Sequence, residues 1–347
     1  MANMYTADTA AAAPGKAPNR ARRIGVLGTG TAAWHHAAAA SNLGHRIVAG
    51  VATSENSPRW QAFKEVAPDA AFVADGEALL ADPDVDTIIA ALPWRITAEW
   101  TERLLCCPKP VLIEKPLGLE TAAIEHALDN PDATPDNKMV CYNRRFYSVV
   151  ARLRERLAEG GLKSIQVTIA EEVHRQVSRH GTAVIPNLLA FSSSHMLDLL
   201  LHVFGPLRVV RLYGYDETGY PLPFRSVNGL LETETGVPMS FALNANDPSP
   251  AGIRCLFDDH TTWHLSPLET LMVFAGHDVV ETRPGSQIRR YMPKVTQGFD
   301  EPTDEKPGFG AQMKEFLSGE IRLGATPRQS LDLHRFIETL QGAGDAE

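Results

Sequence analysis

Four ionisable side chains in this sequence have types and spacings suited to moving a proton. Lys115 follows a short apolar run in a Glu-Lys-Pro triplet, and His195, Asp198 and His202 succeed one another at intervals of three and four residues. Those intervals place side chains on one face of a helix. An imidazole can accept the proton of a hydroxyl group, and an ammonium can stabilise the alkoxide that remains. The pattern therefore indicates acid–base chemistry at a hydroxyl group.

Residues 187–204 are predicted to form the buried helix that carries three of these groups, because the stretch is densely apolar. Asp198 and His202 then lie one turn apart, where the carboxylate can fix the tautomer of the imidazole and raise its basicity. We therefore predict that His202 is a general base oriented by Asp198. The alternative is a self-satisfied pair within the core. His195, on the same face, is either a core residue or a substrate contact.

Lys115 stands at the end of a predicted buried strand, Val111-Leu-Ile113. The carboxyl ends of the strands in an open parallel sheet border the ligand-binding crevice. Lys115 is therefore expected to face a ligand there and to stabilise an alkoxide. The alternative is that Glu114 and Lys115 only solvate the strand end.

A glycine motif near the start of the chain predicts a dinucleotide site. The apolar strand Arg23-Ile-Gly-Val-Leu27 runs into Gly28-Thr-Gly-Thr-Ala-Ala33, and an alanine-rich helix follows to about Leu43. In such a motif the first glycine makes a tight turn, the second admits the pyrophosphate, and Ala33 allows close packing of helix and strand. The residues predicted to line the pyrophosphate are Gly28, Thr29, Gly30, Thr31 and Ala32.

The end of the second strand indicates which dinucleotide binds. An acidic residue at this point selects NAD, whereas a 2′-phosphate needs neutral donors or a cation. The strand 46–52 is followed by Thr53 and Ser54, with Arg59 further along, which favours NADP. Glu55 lies close enough in sequence to leave NAD open. Other predicted cofactor contacts come from later strand ends and are Pro93, Trp94, Glu114 and Lys115.

The order of predicted elements gives an α/β protein with two domains. Alternating strands and helices in residues 22–145 predict an N-terminal Rossmann dinucleotide-binding domain with a doubly wound parallel sheet. Residues 146–347 are predicted to form a C-terminal α+β domain on a mostly antiparallel open sheet, used for substrate binding and oligomerisation. Residues 1–21 are rich in alanine, proline and small polar residues and are expected to form a disordered tail rather than a secretion signal.

Composition excludes several classes of protein. No apolar run is long enough to cross a bilayer. The formal net charge is −9 without a long basic block, which argues against nucleic acid as a partner. The four cysteines lack the paired spacing of zinc or disulfide motifs, so we expect a cytoplasmic protein without a metal.

A short segment after the sixth strand, Tyr142-Asn-Arg-Arg-Phe146, adds candidate contacts in the same crevice. Tyr142, Asn143 and Arg145 are predicted to bind substrate hydroxyls or the cofactor. For Arg144 and Arg145 a surface ion pair is an equal alternative.

Over about residues 22–342 the sequence resembles the glucose-fructose oxidoreductase, inositol dehydrogenase and MocA (Gfo/Idh/MocA) family. The resemblance rests on the glycine motif, the Glu-Lys-Pro triplet, the segment 142–146 and Asp198-x-x-x-His202. The resemblance implies an NAD(P)-dependent dehydrogenase acting on a sugar, cyclitol or related polyol or keto sugar, assembled as a homodimer or homotetramer. It also implies a catalytic set of Lys115, Asp198 and His202. Ser192-Ser-Ser194 and Leu200 replace glycines that are common in the family.

Two alternatives accompany this expectation. One is a non-catalytic nucleotide-binding sensor or regulator of the same fold, although such a protein has no need of a proton acceptor beside the nicotinamide. The other is an enzyme that reduces an imine or a keto group on an amino sugar or a nucleotide-linked sugar.

Overall fold

The structure is a computed structural model that describes residues 20–217, 224–285 and 288–342. The predicted tail, residues 1–21, lies outside the described residues except for its last two positions.

The N-terminal half forms a parallel sheet whose strands follow the order β3-β2-β1-β4-β5-β6. This is the doubly wound order of dinucleotide-binding folds, and it confirms the predicted fold class. The strands are β1 (Arg23–Leu27), β2 (Arg46–Val51), β3 (Ala71–Val73), β4 (Thr87–Ala90), β5 (Val111–Ile113) and β6 (Lys138–Val140). The helices between them are α1 (Thr31–Asn42), α2 (Pro58–Lys64), α3 (Gly76–Ala81), α4 (Trp94–Cys106) and α5 (Thr121–Asp129).

The central strands β4 and β5 are buried along their whole length, since helices cover both faces of the sheet. Continuous runs of branched apolar residues, such as Val111-Leu-Ile113, are the sequence signature of strands in this position. The strand ends that carry Glu114 and Lys115 are therefore fixed from both faces.

The second half forms a mostly antiparallel sheet in the order β14-β13-β12-β11-β7-β10-β9-β8. Within the described residues its one parallel pairing joins β7 to β10. Its strands are β7 (Leu162–Glu171), β8 (Leu207–Glu217), β9 (Phe224–Thr233), β10 (Pro238–Ala245), β11 (Gly252–Phe257), β12 (Thr261–Leu265), β13 (Thr270–Glu281) and β14 (Arg289–Asp300). The accompanying helices are α6 (Ser148–Ala158), α7 (Val173–His180), α8 (Ser194–Phe204), α9 (Phe309–Ser318) and α10 (Pro327–Gln341).

Three local features differ from the sequence pattern or go beyond it. Residues 261–275 form the hairpin β12–β13, which turns at Ser266 and Pro267, where Ser266 N donates to Thr270 O at 3.1 Å. The predicted helix 187–204 is regular only from Ser194, and a π-helical turn, Leu189–Ser193, precedes it. Strand β14 escaped prediction because it is exposed along most of its length and so lacks an apolar alternation.

The last two helices return to the first sheet. Met313, Phe316 and Leu317 of α9 belong to the same buried cluster as Ile24 and Val26 of β1. One buried cluster is thus built from both halves of the chain. The domain boundary predicted at residue 145 stays a prediction. None of the described helices combines the length and the hydropathy needed to span a bilayer.

A buried ion pair fixes α8 against the end of the first sheet. Arg145 follows β6 in a 3₁₀ turn, and its Nε and Nη2 donate to the two oxygens of Asp198 at 2.8 and 2.6 Å. Its Nη1 donates to Leu323 O at 3.2 Å and to Gln329 Oε1 at 2.9 Å. Both charged side chains are almost fully buried. One guanidinium thus joins β6, α8 and the start of α10.

The Arg145→Met substitution tests the contribution of this ion pair to stability. It leaves the Asp198 carboxylate buried without its cation, and such a change costs about 3–5 kcal/mol of the free energy of unfolding. Urea denaturation at neutral pH measures the loss. In the double substitution Arg145→Met/Asp198→Leu no charge is left unpaired, so most of the stability should return. A single variant that loses less than about 1 kcal/mol would contradict the assignment.

Candidate active site

The glycine turn between β1 and α1 has the geometry of a dinucleotide cradle. Gly28 has φ +89°, and a Cβ on it would lie 2.5 Å from Ala91 O, so a side chain there is excluded by the protein itself. A Cβ on Gly30 would meet no protein atom within 4 Å. Gly30 precedes the first turn of α1, and no side chain caps that end. The free amides and the open space beside them fit a pyrophosphate.

The residues predicted to meet the adenosine ribose are accessible. Thr53, Ser54 and Arg59 are exposed beyond the end of β2, and Glu55 is exposed beside them. Their roles stay predictions.

Lys115 is half-buried at the end of β5, and its ammonium is turned toward the protein. Its ammonium donates to Phe191 O, and it lies 4.8 Å from the centroid of the Phe191 ring. Burial lowers the pKa of Lys115, and the carboxylates of Glu114 and Glu171 act in the opposite direction. An ammonium placed in this way is poorly solvated and close to releasing or sharing its proton.

His195 lies in the first turn of α8, four residues after Phe191. Its ring centroid lies 5.8 Å from that of Tyr142, and its Nδ1 is buried without a hydrogen-bond partner among the described residues. Burial lowers the pKa of His195 well below its usual value, and the positive charges of Lys115, Arg144 and Lys306 lower it further. His195 is therefore neutral at pH 7 and able to accept a proton.

The predicted hydrogen bond between Asp198 and His202 is wrong. Both carboxylate oxygens of Asp198 accept from Arg145, and His202 Nε2 is buried without a partner. His202 lies seven residues, or roughly 10 Å along the helix, beyond His195. It lines a different cavity, of about 550 Å³, together with Leu207, Asp332 and Arg335. Burial lowers the pKa of His202 to about 3, with Arg145 and Arg154 adding to the effect.

The segment 142–146 is turned differently from the prediction. Tyr142 is fully buried, and Asn143 Nδ2 donates to Pro307 O at 2.9 Å. Arg145 is committed to Asp198, so its predicted contact with substrate is wrong. Arg144 is instead the arginine whose charge acts on Lys115 and His195.

Two further charged groups of the site, Glu171 and Lys306, were missed. Glu171 is the last residue of β7, which belongs to the mostly antiparallel sheet, so the strand-end rule that singled out Lys115 did not point to it. Lys306 belongs to a second Glu-Lys-Pro triplet, residues 305–307, and its ammonium lies 4.1 Å from the ring of Phe309. The repeated triplet was the available sequence signal.

A polar cluster that spacing did not predict holds Glu114. His36 Nε2 lies 2.9 Å from Glu114 Oε1 and 3.6 Å from Cys141 Sγ, and the ring of Phe309 stacks on His36 at 4.6 Å. The three possible metal-ligand atoms lie within 4.8 Å of one another. Burial raises the pKa of Cys141 well above its usual value, so the thiol stays protonated. The cluster supports Glu114, the residue that precedes Lys115, through the hydrogen bond to His36.

Aromatic rings cover the Lys115 end of the crevice. Phe191 lies 5.6 Å from Trp94 and 4.9 Å from His180, measured between ring centroids. Trp94, the first residue of α4, is half-buried, and Pro93 before it is exposed. The ring of Phe191 thus contacts both Trp94 and Lys115. The predicted contacts of Pro93 and Trp94 with the nicotinamide stay predictions.

Comparison with known proteins gives matches in both sequence and structure. Residues 22–139 match the family model described as "Oxidoreductase family, NAD-binding Rossmann fold". The chain is 28% identical over 200 residues to an inositol 2-dehydrogenase of Acidothermus cellulolyticus, covering 56% of this chain and 57% of that protein. It is 27% identical over 199 residues to an NADP⁺-dependent scyllo-inositol 2-dehydrogenase of Bacillus subtilis, covering 54% and 53%. These alignments span little more than half the length of either relative.

A crystal structure of a myo-inositol dehydrogenase from Corynebacterium glutamicum matches the fold with a TM-score of 0.66 at 15% identity. The match covers 93% of this chain and 96% of that one, so both sheets are shared. At this identity the likeness concerns the fold alone. The family match lies on the glycine turn and the parallel sheet, where the structure also has a dinucleotide cradle, so residues 22–139 are similar to the NAD-binding Rossmann domain of that oxidoreductase family.

Proposed function

We propose that the protein is an NAD(P)-dependent dehydrogenase that transfers a hydride between the nicotinamide and a CH–OH carbon of an inositol, sugar or related polyol. The observation that carries the proposal is the contact of Lys115, from the end of a Rossmann strand, with the turn that precedes the helix of His195. The Lys115 ammonium donates to Phe191 O, and His195 follows four residues later in the second half of the chain. The inositol dehydrogenases among the relatives support the substrate class.

In the direction of oxidation, neutral His195 accepts the proton of the substrate hydroxyl. The Lys115 ammonium stabilises the negative charge that develops on the oxygen, and it is effective because the site excludes water. When bound, the nicotinamide ring accepts the hydride. In reduction, His195 returns the proton to the same oxygen. Arg144 and Lys306 keep His195 neutral between turnovers, because their charges disfavour the imidazolium.

The preferred cofactor in this proposal is NADP. Thr53 and Ser54 offer hydroxyl donors to a 2′-phosphate, and Arg59 offers a cation in the first turn of α2. A carboxylate at the tip of β2 would repel that phosphate, and the acidic residue nearest to it, Glu55, lies beyond both hydroxyl residues.

We also infer that the protein assembles with copies of itself through the second sheet. Large exposed apolar residues concentrate on its strands; they include Val210, Tyr213, Tyr215, Leu230, Leu256, Val279, Val280, Tyr291 and Met292. Surfaces of this kind are usually covered by a partner. Light scattering should therefore give a mass of at least two chains, and a monomer at micromolar concentration would reject the inference.

The cofactor proposal is tested by titrating NADPH and NADH while following nicotinamide fluorescence. We expect binding of both, with NADPH the tighter. Gly30→Ala adds a methyl group where the pyrophosphate approaches, so it should weaken binding at least tenfold without a change in thermal stability. Gly28→Ala is the matched contrast, because its methyl group collides with Ala91 O and should lower the melting temperature. Absence of binding by the wild-type protein would reject the dehydrogenase.

Substitution of the two histidines separates the active site from the neighbouring cavity. His195→Ala removes the proton acceptor and should lower kcat about 10²–10⁴-fold on whichever polyol of a panel the wild-type protein oxidises. His202→Ala, in the same helix, should stay within about twofold of wild type. Loss of turnover in His202→Ala together with retention in His195→Ala would reverse the assignment.

A further inference from the structure

Glu171 is a buried acid that the hydride-transfer scheme has not used. It is the last residue of β7, and it is only 1% exposed. Ser193 Oγ donates to its Oε2 at 2.5 Å, whereas its Oε1 is buried with no hydrogen-bond partner. A buried carboxylate oxygen without a partner costs free energy, so the position is poorly explained by stability alone.

One irregular turn holds both Glu171 and Lys115. The π-helical turn Leu189–Ser193 provides the Phe191 carbonyl and ring to the Lys115 ammonium and the Ser193 hydroxyl to Glu171. His195 follows two residues later. Single π-helical turns are found frequently at functional sites. Here the turn brings an ammonium, a carboxylate and an imidazole from three elements to one place.

The charges around Lys115 single out Glu171. The charged or titratable groups that face it are Glu114 after β5, Arg144 after β6, Glu171 of β7, His195 of α8 and Lys306 before α9. Two are cations that oppose the ammonium. Of the two acids, Glu114 is engaged by His36 at 2.9 Å. Glu171 is the acid with a free oxygen.

The helix that carries His195 offers no acid of its own in this region. Its preceding turn reads Phe191-Ser-Ser-Ser194, and Asp198 is bound to Arg145. An acidic partner for the proton-transfer groups must therefore come from another element, and β7 provides it.

We propose that Glu171 is a positioning residue of the active site, whose carboxylate holds the Lys115 ammonium in its charged form where the substrate oxygen becomes negative. This inference rests on the proposed dehydrogenase activity. Burial raises the pKa of Glu171, while the hydroxyl groups of Ser193 and Ser192 and the charge of Lys115 act to lower it. The groups that favour the carboxylate form thus include the turn that also binds Lys115.

The test measures the protonation of Lys115 without relying on turnover. Lys115 is acetylated with acetic anhydride across a pH series in the full-length protein, and the labelled peptide is quantified by mass spectrometry. Loss of an anion favours the neutral amine, so Glu171→Gln should move the midpoint of labelling about 0.5–1 pH unit lower, the range for one nearby charge. The alkaline limb of kcat/KM should move with it.

Glu172→Gln is the matched control, because Glu172 is exposed and pairs with Arg175. It should leave the midpoint of Lys115 labelling unchanged. Glu171→Asp, which keeps the charge, should have a midpoint close to that of the wild-type protein. If Glu171→Gln does not fold, Ser193→Ala must shift the midpoint in the same direction by a smaller amount. An unchanged midpoint in the folded variants overturns the proposal. Failure of the dehydrogenase activity is a separate outcome, seen as absent turnover in a protein whose Lys115 midpoint still depends on Glu171.

Discussion

The buried pair between Arg145 and Asp198 is the interaction on which the rest of this structure depends. A guanidinium removed from water must keep its carboxylate, so the end of β6 and the middle of α8 can take only one relative position. That position sets the rotation and the depth of α8, and with them the place of His195 near Lys115. The remaining donors of Arg145 bind Leu323 and Gln329, so the C-terminal segment is held by the same charge.

The proposed active site is organised around an imbalance of charge. Cations from Lys115, Arg144 and Lys306 surround one imidazole, and the acids near them are Glu114 and Glu171. A positive environment keeps His195 unprotonated and favours an alkoxide over an alcohol. Both effects assist removal of a hydroxyl proton, and neither requires a carboxylate bonded to the imidazole. The groups that tune the proton acceptor therefore act through space rather than through a chain of hydrogen bonds.

The fold and the position of Lys115 could be predicted from the sequence, whereas the partner of Asp198 could not. Buried strands and a glycine turn are local patterns, so the Rossmann sheet and the position of Lys115 followed from residues close together in the chain. The partner of Asp198 was not local. Helical spacing made His202 an available partner, but Arg145, 53 residues away, is a stronger one because two parallel hydrogen bonds satisfy both carboxylate oxygens. Spacing along one helix cannot reveal a competitor from another element, and for the same reason it did not distinguish Arg144 from Arg145.

The packing of α9 against β1 bears on how the chain is completed during synthesis. Met313, Phe316 and Leu317 close an apolar face whose other side is formed by the first strand and helix of the protein. In the chain, α9 follows the strands of the second sheet. The interior of the nucleotide-binding half is therefore closed only after that sheet has been synthesised, by a helix that lies beyond it in the chain.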